Sequence, residues 1–142
     1  MPRTQPKLAF VMVGLPARGK TFIARKIARY LSWLGYRTQV FNVGSYRRAR
    51  LGSHQRHSFF DPGNAAGQQA RRDVAMTALD DMLGFLDEGG DIAIYDATNS
   101  TRERRGLVAA RCAAAAGGDR RRRVFRPDGG IFAGEVLRCH GL

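Results

Sequence analysis

One eight-residue segment constrains this chain more than any other: Gly14-Leu15-Pro16-Ala17-Arg18-Gly19-Lys20-Thr21. It fits the pattern Gly-x4-Gly-Lys-Ser/Thr in full and follows an apolar run at residues 8–13. Between a strand and a helix, this pattern forms a loop whose backbone N–H groups surround phosphate oxygens. The helix that begins at Lys20 adds unpaired N–H groups and the positive end of its dipole. The segment therefore predicts a site for nucleoside triphosphate and Mg²⁺, with Lys20 at the β- and γ-phosphates and Thr21 as a Mg²⁺ ligand.

Apolar spacing predicts the elements on either side of this loop. Short apolar runs typical of buried parallel strands cover residues 8–13, 38–43 and 91–95. Helical spacing covers residues 20–34, 68–88 and 101–116, and the polar segment 44–67 is expected to be a long loop or broken helix. Trp33 is expected to pack on the first helix. Alternating strands and helices predict an α/β fold of the P-loop NTPase type, a three-layer α/β/α sandwich with a mostly parallel sheet.

A carboxylate and a group of arginines follow the third predicted strand. Asp96 ends that strand, at the edge where α/β sheets bind their ligands. There it can orient Mg²⁺ or act as a base toward an acceptor hydroxyl, although a role as a helix cap or turn residue is also open. Arg102, Arg104 and Arg105 come next and can bind a phosphorylated acceptor. A solvated basic helix face is the alternative interpretation of these arginines.

The composition narrows the class of protein. Twenty-four basic residues against twelve acidic ones give a formal net charge of +12, which favours polyanionic partners, although a general bias toward arginine explains it as well. No apolar run reaches the roughly 18–20 residues of a membrane helix, and two cysteines cannot form a disulfide framework. The polar first residues lack the apolar core of a secretory signal. We therefore expect a cytosolic protein without a membrane partner.

Three segments together resemble a known family. They are the loop at 14–21, Phe-Asn-Val-Gly-Ser-Tyr-Arg-Arg at 41–48, and Asp-Ala-Thr-Asn-Ser-Thr-Arg-Glu-Arg-Arg at 96–105. In this order and spacing they resemble the kinase half of the 6-phosphofructo-2-kinase/fructose-2,6-bisphosphatase family over about residues 7–112. The resemblance implies that ATP phosphorylates the 2-hydroxyl of fructose 6-phosphate, with Mg²⁺, to give fructose 2,6-bisphosphate.

The resemblance also implies roles for individual residues. The ATP contacts would be Gly14, Leu15, Pro16, Ala17, Arg18, Gly19, Lys20 and Thr21. Asp96 and Lys20 would be catalytic, and Thr21 and Asp96 would hold Mg²⁺. The fructose 6-phosphate contacts would be Arg47, Arg71, Thr98 and Arg104.

The last part of the chain departs from the family pattern. Residues 1–116 are predicted to form a partial kinase domain, and residues 117–142 an arginine-rich, poorly ordered tail. The further buried strand and the further catalytic lysine of the family are not found in this tail. Its apolar pairs, at 124–125 and 131–132, are too short to predict strands. The C-terminal strands of the sheet are therefore expected to be missing, which would leave an open sheet edge. The phosphatase half is absent from this sequence, so no phosphatase activity is expected.

Two other functions stay open from the sequence. The chain could be a catalytically inactive ATP-binding fragment that forms a homodimer or pairs with a full-length relative, because the downstream family residues are missing. A basic nucleic-acid-binding module is suggested by the net charge and the run of arginines at 120–123. The second alternative is not favoured, because the sequence has no aromatic stacking or reader motif.

Overall fold

The computed structural model describes residues 7–115 and the backbone of residues 122–125 and 133–139. The strands are β1 (Lys7–Val13), β2 (Thr38–Asn42), β3 (Ile92–Asp96), β4 (Arg122–Phe125) and β5 (Ala133–Cys139). The helices are α1 (Lys20–Trp33), α2 (Val43–Leu51), α3 (Ala65–Asp87) and α4 (Arg102–Ala115), with a 3-10 turn at His57–Phe60. The three predicted strands and helices are confirmed, and the polar segment 44–67 contains most of α2 and the 3-10 turn.

The first three strands form a parallel sheet in the order β2-β3-β1. Ile94 of β3 lies opposite Phe10 on one side and Val40 on the other. At the end of the ladder, Asn42 is in register with Asp96. Because parallel strands end at the same edge of a sheet, the residues that follow β1, β2 and β3 meet there.

Helices cover both faces of this parallel sheet, as the three-layer prediction requires. On one face, α3 and α4 pack on β1, β2 and β3 through a buried cluster that includes Leu79, Tyr95 and Val108. On the other face, α1 packs through Ala24 against Ile94 and its neighbours. All five residues of β3 are buried, because this strand lies in the middle of the parallel part. Residues 92–95 are accordingly apolar in succession rather than alternating, and only the last residue of the strand, Asp96, is charged.

Two strands that the sequence analysis does not predict extend the sheet. Strand β5 pairs antiparallel with β1 along all seven residues of β1, and β4 pairs antiparallel with β5. The expected open edge beside β1 is therefore wrong, because β5 supplies its backbone partners. The apolar pair at 124–125 lies within β4, whereas the pair at 131–132 lies outside the described residues. A four-residue antiparallel strand is too short to be recognised from apolar periodicity.

The outer face of α1 carries exposed aromatic side chains. Trp33 is 79% exposed and its ring lies 6.2 Å from that of Tyr30, so the predicted packing role of Trp33 is wrong. Phe22, further back on the same helix, is 63% exposed. Within the described residues, the structure has no helix that is both long and apolar enough to cross a membrane.

Candidate nucleotide and sugar-phosphate site

The turn between β1 and α1 has the backbone of an anion-binding loop. Gly14, Ala17 and Gly19 have positive φ angles of 150°, 56° and 76°, which curl the chain back toward the start of α1. The Nζ of Lys20 donates a hydrogen bond to the backbone oxygen of Leu15, at 2.6 Å, and its side chain is buried against Gly14. No side chain caps α1, so its first N–H groups face the loop without a side-chain acceptor. Unpaired N–H groups and a nearby ammonium group suit a phosphate.

Three side chains from three elements meet where the parallel strands end. The hydroxyl of Thr21 donates a hydrogen bond to Oδ2 of Asp96 at 2.6 Å. The amide of Asn42 donates to the same Oδ2 at 2.5 Å and to the Thr21 hydroxyl at 3.1 Å. Asp96 is 2% exposed, so its carboxylate depends on these neutral donors rather than on water. We call Thr21, Asn42 and Asp96 the carboxylate cluster.

The donor set of this cluster fits Mg²⁺. A hydroxyl and a carboxylate oxygen are hard oxygen ligands, and they already lie within hydrogen-bond distance of each other. Magnesium commonly takes one or two protein oxygens and fills its other positions with water and substrate phosphates. Within residues 7–115, no group of three or more His, Cys, Asp and Glu residues could form a metal cage made wholly of protein. The cluster is therefore suited to a metal that is shared with a phosphate.

The loop after β3 is fastened to the end of β1. The backbone N–H of Gly14 donates to the oxygen of Thr98 at 3.0 Å. Asn99, which is buried and has a positive φ of 45°, donates from its side-chain amide to the oxygen of Met12 at 2.9 Å. A guanidinium nitrogen of Arg105 bonds the backbone oxygens of residues 99 and 100 at 3.1 and 2.7 Å. These bonds hold Thr98 beside the phosphate loop.

The four residues predicted to contact the sugar phosphate line one cavity. They are Arg47 on α2, Arg71 on α3, Thr98 after β3 and Arg104 on α4, and the cavity has a volume of about 480 Å³. Pro16 of the phosphate loop lines the same cavity, which therefore opens beside the nucleotide loop. We call this space the arginine cavity. Four separate segments of the chain converge on it, although their positions in the sequence are far apart.

The arginines of this cavity have no carboxylate partner among the described residues. The ion pairs in residues 7–115 join Arg72 to Glu103 at 3.4 Å and Arg111 to Asp80 at 2.8 Å, and neither involves a cavity arginine. The Nε of Arg47 and the Oδ1 of Asn99 are buried and find no hydrogen-bond partner in this part of the chain. Buried polar atoms are paired in most proteins, so these two atoms are suited to a polar ligand in the cavity.

Two tyrosines behind the site have perturbed acidity. Burial raises the pKa of Tyr95 to about 12, while the nearby charge of Arg104 opposes the rise and Cys112 adds to it. Its hydroxyl donates to the backbone oxygen of Ala75 at 2.8 Å and so ties β3 to α3. Burial, followed by the hydrogen bond and charge of Asp81, raises the pKa of Tyr46 to about 12 as well. Both tyrosines are neutral at pH 7 and serve as hydrogen-bond donors.

Two asparagines contribute to the site but are not predicted as site residues from the sequence. Asn42 ends β2 and its position opposite Asp96 follows only from the strand register. Asn99 comes directly after Thr98, but nothing in its sequence position shows that its amide bonds the end of β1. The signal available for Asn42 is its place at the end of a predicted strand, since parallel strands bring such residues to one edge.

The comparisons with known proteins agree with the resemblance. A model of the 6-phosphofructo-2-kinase family matches residues 1–118. A 6-phosphofructo-2-kinase/fructose-2,6-bisphosphatase of Arabidopsis thaliana is 51% identical over 107 residues, which are 75% of this chain and 14% of that protein. The Homo sapiens protein 6-phosphofructo-2-kinase/fructose-2,6-bisphosphatase 3 is 49% identical over 106 residues, 74% of this chain and 20% of its own length. The chain thus spans about a fifth or less of these two relatives. It belongs to the 6-phosphofructo-2-kinase family.

Proposed function

We propose that this chain transfers the γ-phosphoryl group of ATP to the 2-hydroxyl of fructose 6-phosphate, which gives fructose 2,6-bisphosphate and ADP. The observation that carries the proposal is the arginine cavity, where Arg47, Arg71, Thr98 and Arg104 line one space beside the phosphate loop. A sugar phosphate offers hydroxyls and a dianionic group, which suit a threonine and guanidinium groups that have no carboxylate partner among the described residues. The cytosolic location expected from the sequence is part of this proposal.

The phosphate loop and the carboxylate cluster would hold the nucleotide and its metal. Backbone N–H groups of the loop and Lys20 would bind the phosphates of ATP. The Thr21 hydroxyl and the Asp96 carboxylate would ligate Mg²⁺, directly or through water, because they are hard oxygen ligands held together. When bound, Mg²⁺ neutralises charge on the phosphate oxygens.

The protein then binds the sugar phosphate, accepts a proton and stabilises the charge that develops on the leaving group. Arg47, Arg71 and Arg104 bind the 6-phosphate and balance its charge, while Thr98 orients the sugar. Asp96 accepts a proton from the 2-hydroxyl, because its Oδ1 receives no hydrogen bond from the described residues while its Oδ2 is held by Thr21 and Asn42. The 2-hydroxyl oxygen forms its bond to the γ-phosphorus as the bond from that phosphorus to the bridging oxygen breaks. ADP leaves with the electron pair, and Lys20 balances the charge that develops on it.

A turnover assay with the purified, folded chain tests this function. ADP and fructose 2,6-bisphosphate should form only when ATP, Mg²⁺ and fructose 6-phosphate are all present. Asp96→Asn should lower kcat by about two to four orders of magnitude, the usual contribution of general base catalysis. Thr77→Val, a change on the exposed part of α3, is the matched control and should leave turnover unchanged. Failure to form product from folded wild-type chain would refute the proposal.

An inactive nucleotide-binding fragment is the second candidate. It is favoured by the end of the family match at residue 118, within the chain. Such a fragment could act by pairing with another copy or with a full-length relative. Calorimetry would then detect ATP binding to a chain that gives no fructose 2,6-bisphosphate, and turnover by the isolated chain would refute this candidate.

A further inference from the structure

Phe60 lines the arginine cavity without belonging to the core, and Phe59 lies beside it. Phe59 and Phe60 lie in the 3-10 turn between α2 and α3, with ring centroids 5.2 Å apart and ring planes perpendicular. Neither ring belongs to the buried clusters of the two sheet faces, and Phe60 is 41% exposed. A large apolar side chain that is neither in the core nor fully exposed needs another explanation, and its neighbours supply one.

The ring of Phe60 contacts two arginines that come from different helices. The guanidinium carbon of Arg47, on α2, lies 5.0 Å from the centroid of this ring. The guanidinium carbon of Arg71, on α3, lies 5.9 Å from the same centroid and 5.8 Å from that of Phe59. All three distances are within the range of cation–π attraction. Two like charges are thus held near one ring, with no carboxylate among the described residues to balance them.

The turn that carries the rings is itself fixed to α3. The side-chain amide of Asn64 donates to the backbone oxygen of Ser58 at 3.0 Å, and its Oδ1 caps α3 at Gly67. A Cβ at Gly67 would lie 2.6 Å from the backbone oxygen of Phe59, so the turn approaches the helix as closely as glycine allows. The rings are therefore held by backbone contacts, and they in turn can restrain the arginine side chains.

We propose that Phe60 is a positioning residue that preorganises Arg47 and Arg71 for one anionic group of the sugar phosphate. The inference rests on the proposed function, because it concerns how that substrate is bound. A free arginine loses side-chain entropy when it binds an anion, and the ring removes part of that loss before binding. The corresponding loss of affinity is roughly two- to tenfold for each arginine that is freed.

Variants that keep or remove the ring test this inference. Phe60→Leu should raise the Kd and KM for fructose 6-phosphate about two- to tenfold, because it frees Arg47. Arg71 keeps the Phe59 ring and its hydrogen bond to the backbone oxygen of residue 60, so it is freed only in part. It should change the KM for ATP and the midpoint of unfolding very little, since Phe60 is 41% exposed and belongs to neither buried cluster of the sheet faces. Phe60→Tyr keeps the ring and should bind fructose 6-phosphate like the wild type. Phe22→Leu is the matched control, because Phe22 is an exposed phenylalanine with Lys26 over its ring, at 5.3 Å, and it does not line the arginine cavity.

The outcomes separate the inference from the function on which it rests. If wild-type chain binds fructose 6-phosphate and Phe60→Leu binds it equally well, the inference alone is refuted. The inference is also refuted if Phe60→Leu and Phe60→Tyr weaken the binding of fructose 6-phosphate equally. It is refuted as well if Phe60→Leu weakens the binding of ATP as much as that of fructose 6-phosphate.

If wild-type chain binds ATP but no fructose 6-phosphate, the proposed function has failed. In that case the wild-type chain, Phe60→Leu and Phe60→Tyr are titrated with inorganic phosphate. A non-hydrolysable ATP analogue is present to occupy the nucleotide loop. Equal phosphate affinities there would overturn the inference, and the same ring-dependent loss would support it.

Discussion

The side chain of Asn42 bonds the carboxylate of Asp96 and caps helix α2, and two substitutions can separate these interactions. Its amide donates to the buried Asp96 carboxylate at 2.5 Å, while its Oδ1 accepts a hydrogen bond from the backbone N–H of Ser45 at 2.8 Å and caps α2. Asn42→Ala removes both interactions. Asn42→Ser removes the contact with Asp96 but keeps an oxygen that can cap the helix. The two variants therefore differ by the cap alone.

The structure sets the size of each effect. A lost helix cap costs about 1 kcal/mol, and a lost hydrogen bond to a charged group costs about 1.5–3 kcal/mol. Asn42 is only partly buried, which favours the lower end of the second range. We expect Asn42→Ala to lower the free energy of unfolding by about 2.5–3 kcal/mol. Asn42→Ser should lower it by about 1.5–2 kcal/mol, because the cap is kept.

Urea unfolding at pH 7, followed by circular dichroism, measures both values. The slope with urea should be unchanged, so that the shift in midpoint reports stability. Ser45→Ala is the control, because Ser45 is exposed and its hydroxyl donates a second bond to Asn42 at 3.1 Å and accepts one from the exposed Arg48 at 3.0 Å. That variant should cost about 0.5 kcal/mol or less. Equal losses for the alanine and serine variants at position 42 would show that the cap adds nothing, and a serine variant as stable as wild type would refute the role given to the Asp96 contact.

Three further outcomes follow from the described contacts. Tyr95→Phe should cost about 1 kcal/mol at neutral pH by removing the bond to Ala75, yet it should flatten the alkaline loss of stability. The wild-type loss should occur as the pH rises from about 10 to about 12, because the unfolded chain ionises there before the folded one, and urea titrations over that window check it. Gly67→Ala should lower the free energy of unfolding by about 1–3 kcal/mol, measured by thermal unfolding, because its Cβ would meet the backbone oxygen of Phe59. Gly84→Ala is the control and should stabilise α3, because a Cβ there would lie in open space. Equal effects of the two variants would contradict the close approach of Phe59. Deleting residues 117–142 should expose the edge of β1 and cause concentration-dependent association in light scattering. Light scattering identical to that of the whole chain would argue against the pairing with β5.

The parallel part of the fold follows from patterns that act locally. A buried central strand such as β3 needs apolar residues on both faces, and the run at 92–95 supplies them. The hairpin of β4 and β5 is different, because its pairing with β1 depends on residues more than a hundred positions apart in the chain. No local period marks such pairing, and Gly134 within β5 weakens what strand propensity the segment has. Helix α2 is also hard to predict, since none of its residues is buried and its start depends on the Asn42 cap.

The candidate site also has a part that the sequence predicts and a part that depends on tertiary packing. The phosphate loop is readable because its glycines and lysine must stand at fixed offsets, and the loop backbone has the positive φ angles that such a turn requires. The convergence of Arg47, Arg71 and Arg104 is not a matter of spacing, because it arises from where three helices pack. These residues are predicted as substrate contacts only by the resemblance to the family. Without the resemblance, the sequence indicates only that the arginines after Asp96 can bind a phosphate. Phe60 has no sequence signal at all, since its role depends on the two guanidinium groups that lie near its ring.

Charge is left unbalanced on both sides of the site, and this fits a protein that binds a metal and an anion next to each other. The buried Asp96 is held by the neutral donors Thr21 and Asn42 instead of a cation, which leaves its negative charge available to Mg²⁺ or to a proton. Two of the cavity arginines, Arg47 and Arg71, lie against an aromatic ring instead of a carboxylate, which leaves their positive charge available to a phosphate. An Asp96–arginine ion pair would satisfy both groups within the protein, and each ligand would then have to break it. Stability is therefore given up at this edge of the sheet in favour of binding, a compromise common at functional sites.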